Sequence, residues 1–464
     1  MTRLLCVHCV LCVVAFLALP SRGADVDWSA GVASVKITPD KPVPLAGYAS
    51  RTKPFERVDL DLYAKTLALR DAAGHRGVLV TMDLCIIPTE VTDQVRARIV
   101  EQEKLEPAAI ILSLSHTHSG PAVSLRAETA GPTGQPNPDA SGTVEYTKGL
   151  QEKLVSVAHE ALARLEPATL RWGSGVTHFA MNRREFTDKG VILGVNPRGS
   201  ADRSVPVLRV DGADGRARAV LFGYACHGTT NPPNHLGVSP DYPGYARGVI
   251  EEHFPGAQAL FIAGCGGDAN PYPRLGLGDA KKNGDELGAE VCRVADGKLK
   301  AIGGQLSCAV ATAQLPLETP DRAGLESIAK TAGVHKQDAQ GMLKAMDEGT
   351  PLPAAHPAPV VAWQFGGQDL TLVALPDEVV SEYVKPIEEA VGPLRLWIAA
   401  YCHEVVGYIP SRRILNEGGY ETRGLYIGAG WFAPEVEEVL VKAVRTAATS
   451  AGRTPVGNME RPGH

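Results

Sequence analysis

The sequence is poor in aromatic side chains and has no block of basic residues. Aromatics make up 6% of its 464 residues, and 46 Lys and Arg stand against 52 Asp and Glu, a net charge of −6. Nucleic-acid-binding proteins carry clustered basic side chains, often interleaved with aromatic rings for base stacking. A polybasic segment that would hold an anionic membrane surface is missing as well. We therefore expect no nucleic-acid partner.

Motifs for thiolate chemistry and for phosphate binding are also missing beyond the first 23 residues. The glycine-rich segment at residues 264–271 lacks Gly-Lys-Ser/Thr and does not fit GxGxxG, so it is neither type of phosphate loop. None of the six cysteines in this part forms a CxxC pair, which disfavours a thiolate zinc site or a redox motif. The fifteen pairings that these cysteines allow stay open: they are Cys85, Cys226, Cys265, Cys292, Cys308 and Cys402.

The N-terminal residues have the pattern of an export signal. Arg3 precedes a mostly apolar run at residues 4–19, and small residues flank Arg22 just before Ala24. A charged start, an apolar core and a small-residue cleavage site are typical of a secretory signal peptide. We predict a signal peptide over residues 1–23 and a secreted or periplasmic mature protein. An uncleaved membrane anchor is the alternative, which the shortness of the run disfavours.

The rest of the chain has ordinary globular composition, with 44% hydrophobic and 21% charged residues. Apolar runs of strand length, such as residues 76–84 and 108–114, alternate with helical patterns from end to end. This interleaving predicts a mixed α/β (α+β) fold, with central mixed β-sheets flanked by helices. Residues 319–347 predict a polar, helical surface excursion, and residues 356–359 a proline-rich joint. With no strong linker or repeat, we predict one large domain over residues 24–464.

Two histidines directly follow a predicted strand. The motif Ser115-His116-Thr117-His118-Ser119-Gly120-Pro121 comes after the apolar run that ends at Leu114. Residues two apart on an extended chain face the same way, so both imidazoles can reach one point. Neutral imidazole is the commonest metal ligand in proteins. The alternative is a pair of polar loop histidines, because HxH alone is a weak signal.

Four later segments also place polar residues where a strand or turn ends. Alone, each has an ordinary structural explanation: a satisfied histidine, a tight turn, a helix cap or a solvated loop. A second histidine at a strand exit nevertheless raises the odds that both belong to one site. The four segments are Tyr224-Ala225-Cys226-His227, Gly267-Asp268-Ala269-Asn270-Pro271, Pro376-Asp377-Glu378, and the stretch from Tyr408 to Tyr420-Glu421.

Taken together and in order, these segments resemble the neutral/alkaline non-lysosomal ceramidase family. The HxH motif resembles the zinc motif of that family, and Pro376-Asp377-Glu378 stands where the family has Pro-Gly-Glu. Gly267 to Pro271 stands where it has Gly-Asp-Val-Ser-Pro. Further matches are Gly47-Tyr48-Ala49-Ser50, Asn182-Arg183, Cys226 to Ala246, and Tyr408 to Glu421. Several motifs in the same order are far more specific than any one of them.

The resemblance implies a Zn²⁺-dependent hydrolase and a role for each matching residue. The enzyme would use zinc-activated water to cleave the amide of N-acylsphingosine or a similar N-acyl lipid, giving sphingosine and a fatty acid. The implied zinc ligands are His116, His227, Glu378 and Tyr408. The implied neighbours, which would contact the substrate amide or the developing oxyanion, are His118, Arg183 and Tyr420.

Two departures from the family pattern bear on mechanism and substrate. Asn270 stands in place of a serine that has been proposed as a nucleophile, which favours attack by water and leaves Asn270 to hydrogen-bond substrate. The C-terminal immunoglobulin-like domain of the family is not expected in this chain. A zinc hydrolase of the same scaffold that acts on a soluble amide or ester therefore stays an alternative. A non-catalytic binding protein is a further one, and the implied partners are a small-molecule or lipid substrate and a transient membrane surface.

Overall fold

The computed structural model describes residues 27–126, 140–276, 278–331, 335–425 and 430–455. The predicted signal peptide lies outside these residues. Helices within them are α1 Thr89–Glu103, α2 Ala140–Ala163, α3 Asp241–His253, α4 Asp279–Ala295, α5 Arg322–Lys330, α6 Lys336–Asp347, α7 Val384–Val391, α8 Arg412–Glu417 and α9 Val436–Ser450. Short 3₁₀ turns lie at Pro107–Ala109, Ser381–Tyr383 and Tyr420–Arg423.

Strands in the first half of the chain are β1 Trp28–Lys36, β2 Arg57–Val58, β3 Tyr63–Asp71, β4 Arg76–Met82, β5 Ile110–Leu114, β6 Glu166–Val176, β7 Ala180–Asn182, β8 Arg184–Thr187, β9 Gly190–Leu193, β10 Ser204–Gly212 and β11 Ala217–Tyr224. Strands in the second half are β12 Gly237–Val238, β13 Gln258–Ala263, β14 Ala269–Pro271, β15 Lys300–Ile302, β16 Leu306–Glu318, β17 Ala355–Phe365, β18 Leu370–Ala374, β19 Glu378–Val379, β20 Leu396–Ala399, β21 Tyr408–Ile409 and β22 Trp431–Phe432.

Two mixed sheets organise the described part of the chain. The larger has the order β13-β11-β10-β6-β1-β3-β4-β5, with β15 paired to β6, and the smaller has the order β20-β18-β17-β16-β22. Most neighbours are antiparallel, but β4 and β5 run parallel, as do β11 and β13. Each parallel pair brings two carboxyl-terminal strand ends to the same edge of the sheet. The residues that follow those ends are therefore held side by side.

The two sheets pack face to face around large apolar side chains. A single buried cluster joins Leu79 and Leu208 of the large sheet to Trp363, Phe365 and Trp397 of the small one. The indole N–H of Trp363 donates to the carbonyl of Ala108 at 2.8 Å, so its polar atom is satisfied. Burying one such side chain contributes roughly 1.5–3 kcal/mol. This inter-sheet layer is the rigid base on which the strand ends are displayed.

Helices cover the outer faces of both sheets. Helix α2 contacts β1 and β3, helices α3 and α4 contact β13, β10 and β6, and α9 contacts β16 and β17. Side chains alternate between the two faces of a strand: in β4, Leu79 faces the other sheet, whereas Val78 and Val80 join the cluster under the helices. The mixed α/β fold with central sheets flanked by helices is confirmed.

One local prediction is wrong. Residues 356–359 were expected to form a proline-rich joint, yet they belong to β17, which pairs along its whole length with β16. On its other side β17 pairs with β18 only from Val361 onward. Pro357 and Pro359 therefore lie where the strand is an edge, and a proline, which has no N–H to donate, is tolerated there.

The six cysteines at positions 85, 226, 265, 292, 308 and 402 are all unpaired thiols, five of them buried. Burial disfavours the thiolate, as shown by the raised pKa of Cys226 and Cys265. Among the helices that the structure describes, none is long and apolar enough to cross a membrane.

Candidate metal centre

The segments singled out by sequence meet where the two edges of the large sheet approach each other. Edge strands β5 and β13 lie close together. The segment after β20 joins their ends, because the N–H of Ala400 donates to the carbonyl of Ala263 at 2.9 Å and the N–H of Leu114 donates to that of Tyr401 at 3.0 Å. His116 follows β5 and lies near this junction. His227 follows β11, the strand beside β13.

Three side chains converge there on one point. Nε2 of His116 and Nε2 of His227 each lie 3.0 Å from the same carboxylate oxygen, Oε2 of Glu378. All three side chains are buried, with relative exposures of 1% or less. One ligand atom from each lies within 4.8 Å of the others, so a single ion can contact all three. The hydroxyl of Tyr408 is 3.4 Å from Nε2 of His227 and extends the set.

The backbone fixes the orientation of both imidazoles. Nδ1 of His116 lies 2.9 Å from the carbonyl of Cys85, and Nδ1 of His227 lies 2.8 Å from the carbonyl of Gly266. A neutral imidazole that donates from Nδ1 presents a lone pair at Nε2, which is the arrangement usual for metal-ligating histidines. Gly266 is required for this approach, because a Cβ there would lie 2.7 Å from the backbone nitrogen of Cys226.

A short parallel strand pair places the carboxylate and the phenol together. Strands β19 and β21 pair in a register that sets Glu378 directly beside Tyr408. Side chains of neighbouring strands at matched positions point to the same face. Residues 30 positions apart in the chain therefore reach the same centre. Neither strand extends beyond two residues, and local propensity alone does not define them.

The electrostatics of the centre favour one ionised carboxylate beside one positive charge. Burial acts to raise the pKa of Glu378, but His116 and His227 outweigh it and hold that pKa well below its ordinary value. Burial acts to lower the pKa of His116, but the Glu378 carboxylate and Cys85 raise it to about 10. Burial and the Arg183 guanidinium lower the pKa of His227 to about 3. His227 is thus a neutral nitrogen donor at any ordinary pH.

His118 lies against the cluster. Its Nε2 is 3.1 Å from Nε2 of His116, and its ring packs edge-on against Tyr48 with centroids 4.8 Å apart. Burial, followed by the neighbouring imidazoles of His116 and His227, lowers the pKa of His118 well below its usual value. A neutral imidazole beside a proposed ligand can hydrogen-bond to a water or substrate at the centre.

Arg183 occupies the other side of the cluster. Its Nη1 lies 3.0 Å from Nε2 of His227 and 3.5 Å from Oδ1 of Asn270. Its Nε donates to Oε1 of Glu421 at 2.7 Å. Its Nη2 is buried and donates to no side chain or backbone group of the described residues. A fixed cationic donor with an unused N–H is suited to an anionic or carbonyl oxygen.

The loop after β13 holds both Arg183 and Asn270. Strands β14 and β7 pair so that Ala269 faces Asn182, and the N–H of Arg183 donates to the carbonyl of Asp268 at 2.9 Å. The amide of Asn270 accepts a hydrogen bond from the hydroxyl of Thr229 at 3.1 Å. A tight turn is the structural explanation that the sequence offers for Gly267 to Pro271. This segment also holds Arg183 and Asn270 beside the cluster.

Tyr420, the last of the predicted site residues, lies in the 3₁₀ turn Tyr420–Arg423. Its ring contacts that of Tyr408 edge-on at 5.6 Å, and the guanidinium of Arg183 lies 5.7 Å from its centroid. All eight residues that the resemblance pointed to thus come together in one region. Their individual roles as ligands or catalytic groups stay predictions.

Sequence reasoning missed three further residues of this region. Glu421 is buried and pairs with both Arg183 and Arg184 at 2.7 Å. In the sequence, Glu421 is part of the Tyr420-Glu421 match, but that match gives it no role. Tyr401 packs its ring 4.6 Å from that of His116, and its buried hydroxyl has no hydrogen-bond partner among the described residues. Cys85 supplies the carbonyl that orients His116. Nothing in the local sequence distinguishes Tyr401 or Cys85.

The donor set of the cluster fits a zinc ion. Two imidazoles, a carboxylate and a phenol provide nitrogen and oxygen ligands of the kind that catalytic zinc takes, while a further position can stay open for water. The four proposed ligand atoms include no sulfur, although Sγ of Cys85 lies 3.9 Å from Nδ1 of His116 and belongs, with His116 and His118, to a neighbouring group of possible ligands. The fold and the site thus define an α/β protein with a candidate metal centre of the catalytic type.

Comparison with known proteins identifies the family. Residues 28–272 match the family model for the N-terminal part of neutral/alkaline non-lysosomal ceramidases. The match covers more than half of the chain, and the chain therefore belongs to this family, as its motifs predicted.

Similar proteins include neutral ceramidases A and B of Dictyostelium discoideum. Each is 27% identical to this chain, over 275 and 260 residues, which are 54% and 50% of this chain. The matched regions are 37% and 34% of the relatives, so the chain aligns with about a third of their length. Among solved structures, the neutral ceramidase of Pseudomonas aeruginosa superposes with a TM-score of 0.70 at 20% identity, over 94% of this chain and 76% of that one. A ceramidase complexed with C2 gives the same TM-score and identity.

Proposed function

We propose that this chain is a zinc-dependent amidohydrolase that cleaves the amide bond of ceramide-like N-acyl lipids. The observation that carries the proposal is the convergence of His116, His227 and Glu378 on one buried point, with contacts of 3.0 Å. Membership of the ceramidase family supports the substrate class. Release of a long-chain base and a fatty acid is the expected outcome.

Zinc would be held by His116, His227, Glu378 and Tyr408. When bound, it supplies a water of lowered pKa and polarises the substrate carbonyl. The chain contributes the fixed positions of these ligands, because the carbonyls of Cys85 and Gly266 hold both imidazoles in one orientation. Such outer contacts are typically worth 10- to 100-fold in metal affinity or activity.

Arg183 and Tyr420 would stabilise charge that develops on the substrate oxygen. The Nη2 of Arg183 is a buried donor with no hydrogen-bond partner among the described residues, while the guanidinium also contacts the Tyr408 hydroxyl. A substrate oxygen would accept from Nη2. Glu421 keeps the guanidinium in place. A donor that is preorganised in a water-poor site is worth about 10²- to 10³-fold in rate.

His118 would move a proton between the attacking water and the leaving amine. Its Nε2 lies 3.1 Å from Nε2 of the proposed ligand His116, within reach of a water or amine held at the centre. Asn270 does not serve as a nucleophile, because a carboxamide is a poor one and its oxygen already accepts from Thr229 and Arg183. Attack by water is therefore the proposed route to the products.

An apolar hairpin beside the cluster supports a lipid substrate presented at a membrane surface. Strands β8 and β9 follow Arg183 directly in the chain and form an antiparallel hairpin. Phe186, Ile192 and Leu193 on it are 55%, 47% and 50% exposed. The side chains of Phe186 and Leu193 share one face of the hairpin, and Ile192 lies on the other. Exposed apolar side chains of this kind can contact lipid. We also propose export of the protein, on the N-terminal sequence pattern.

The test measures zinc content and hydrolysis of N-acylsphingosine on the same purified preparations. We expect about one zinc at this centre and release of fatty acid by the wild type. His116→Ala and His227→Ala should lose that zinc and hydrolysis together, whereas His178→Ala, a change at an exposed histidine, should retain both. Hydrolysis at the parent rate by either ligand variant would refute the assignment.

Two further outcomes separate the mechanism and the substrate. Asn270→Ala should lower the rate far less than the ligand variants, and an acyl group trapped covalently on the protein would contradict attack by water. A wild type that binds zinc but hydrolyses only soluble amides or esters would leave the centre intact and overturn the lipid substrate.

A further inference from the structure

A second buried cluster of ligand-type side chains lies beside the first. Nε2 of His356 is 3.1 Å from Oδ2 of Asp377 and 3.5 Å from Oε1 of Glu404. One ligand atom from each residue lies within 4.8 Å of the others. The three residues are 7%, 0% and 2% exposed, so solvent does not screen them. No motif of the sequence analysis pointed to His356 or Glu404.

Each carboxylate of this cluster has one oxygen engaged by the protein and one directed at the centre. Oδ1 of Asp377 accepts from the N–H of Val406 at 2.8 Å, and Oε2 of Glu404 accepts from the hydroxyl of Thr89. The other oxygens, Oδ2 and Oε1, face His356. Oε1 of Glu404 is buried and accepts no hydrogen bond from the described residues. Outer contacts that orient carboxylates in this way are characteristic of metal sites.

Backbone contacts hold the two carboxylates against each other. The N–H of Asp377 donates to the carbonyl of Glu404 at 2.9 Å. Asp377 also adopts a φ of 61°, a left-handed conformation that glycine takes more easily. The position where the family resemblance expects glycine thus carries a carboxylate in a glycine-like conformation. Its side chain points into the cluster.

Two carboxylates face one imidazole in this cluster, with Nε2 of His356 at 3.1 Å from Asp377 and 3.5 Å from Glu404. The guanidinium of Arg96 also attracts Glu404. When both carboxylates are ionised, a divalent cation held between them would offset their mutual repulsion.

We propose that His356, Asp377 and Glu404 form a second metal site, for a divalent transition ion such as Zn²⁺. The mixed imidazole and carboxylate donors suit zinc. Metal–nitrogen and metal–oxygen distances of about 2.0–2.2 Å in a tetrahedral centre place ligand atoms roughly 3.3–3.5 Å apart. The separation of 3.5 Å falls within that spacing, and the separation of 3.1 Å is slightly shorter. The rival interpretation is a metal-free, hydrogen-bonded triad of the same three residues.

The two sites share one peptide unit, because Asp377 and Glu378 are consecutive residues. An ion bound by Asp377 would fix the turn that carries Glu378 into the first centre. The proposed role of the second site is therefore to position Glu378, the ligand of its neighbour. Its existence does not depend on the reaction proposed above.

The test is the zinc content of the full chain after equilibration with Zn²⁺ and removal of loosely bound ion. We expect about two zinc ions per wild-type chain and about one in Glu404→Gln. Glu382→Gln is the matched control, since Glu382 also accepts from a hydroxyl, that of Ser411, but lies outside both clusters. It should retain about two. Equal zinc content in the wild type and Glu404→Gln would overturn the proposal.

A second variant keeps the proposal testable if Glu404→Gln does not fold. His116→Ala disrupts only the first centre, so it should retain about one zinc. No zinc in this variant would overturn the second site. Zinc that persists in a variant carrying both His116→Ala and His356→Ala would overturn it too, because the ion would then be bound elsewhere. A wild-type chain that holds about two zinc ions but hydrolyses no N-acyl lipid would count against the proposed reaction alone.

Discussion

Gly47 provides a sharp test of the position assigned to His118. It has a φ of +95°, and a Cβ built there would lie 2.4 Å from Cγ and 2.5 Å from Nδ1 of the His118 ring. Carbon atoms in ordinary contact are about 3.5–4.0 Å apart. In Gly47→Ala the imidazole must therefore move by roughly 1 Å, and its contact with His116 cannot be kept at 3.1 Å.

Gly74 separates this collision from backbone strain. It has the same φ of +95°, but a Cβ there meets no atom within 4 Å. The strain of an alanine at positive φ, about 1–2 kcal/mol, is therefore common to both variants. Crowding of the ring adds about 1–3 kcal/mol in Gly47→Ala alone. A misplacement of about 1 Å in a catalytic group can cost about 10²-fold in rate.

We expect Gly47→Ala to lower kcat/KM by about 100-fold while zinc stays bound, because none of the four proposed ligands is displaced directly. Gly74→Ala should retain the parent rate and lose only about 1–2 kcal/mol of unfolding free energy. The measurements are hydrolysis kinetics, zinc content and urea unfolding on matched preparations. A Gly47→Ala enzyme with the parent rate would refute either the placement of His118 or its part in the reaction.

Two further predictions concern the buried pairs around the centre. Glu421→Gln should lower the unfolding free energy by about 3 kcal/mol, because it removes the carboxylate paired with the buried Arg183. Glu417→Gln should cost under about 1 kcal/mol, because Glu417 is more exposed and its partner Arg184 keeps Glu421. Burial acts to raise the pKa of Glu421, but the arginines hold it below its ordinary value of 4.5. The contribution of Glu421 to the unfolding free energy is therefore complete above about pH 4.5 and is lost as pH falls through its lower folded pKa. Urea unfolding of Glu421→Gln at pH 3–7 should lack that pH-dependent component. Tyr408→Phe should weaken zinc binding, while Tyr420→Phe should retain zinc and lower kcat; equal zinc affinities in the two variants would contradict the assignment of Tyr408 as a ligand.

Much of the scaffold follows from periodicity along the chain. The apolar run at residues 76–84 is strand β4, and the run at 108–114 ends in β5. Helices α5 and α6 lie within the polar segment 319–347, where a helical excursion was predicted. These elements follow local patterns of apolar and polar residues, which a single sequence displays directly.

Other elements depend on partners that are distant in the chain. The burial of side chains along β16 alternates only weakly, yet the strand extends over 13 residues because β17 pairs with its first eleven and β22 with its last two. The prolines of β17 suggested a joint because the sequence does not show that they lie at an open edge of the sheet. Only the sheet order shows this. Strands β19 and β21 have two residues each and exist through their mutual register.

By itself the sequence determined the mixed α/β fold, the order of the motifs and the set of side chains able to form a metal centre. Those properties are carried by residue identity and by local spacing. Only the tertiary structure decided that Glu421 neutralises Arg183 from 238 positions away, and that Cys85 orients His116. It alone brought Glu404 and His356 to Asp377. Contacts of this kind arise from sheet order and packing, and the chain between the partners carries no local trace of them.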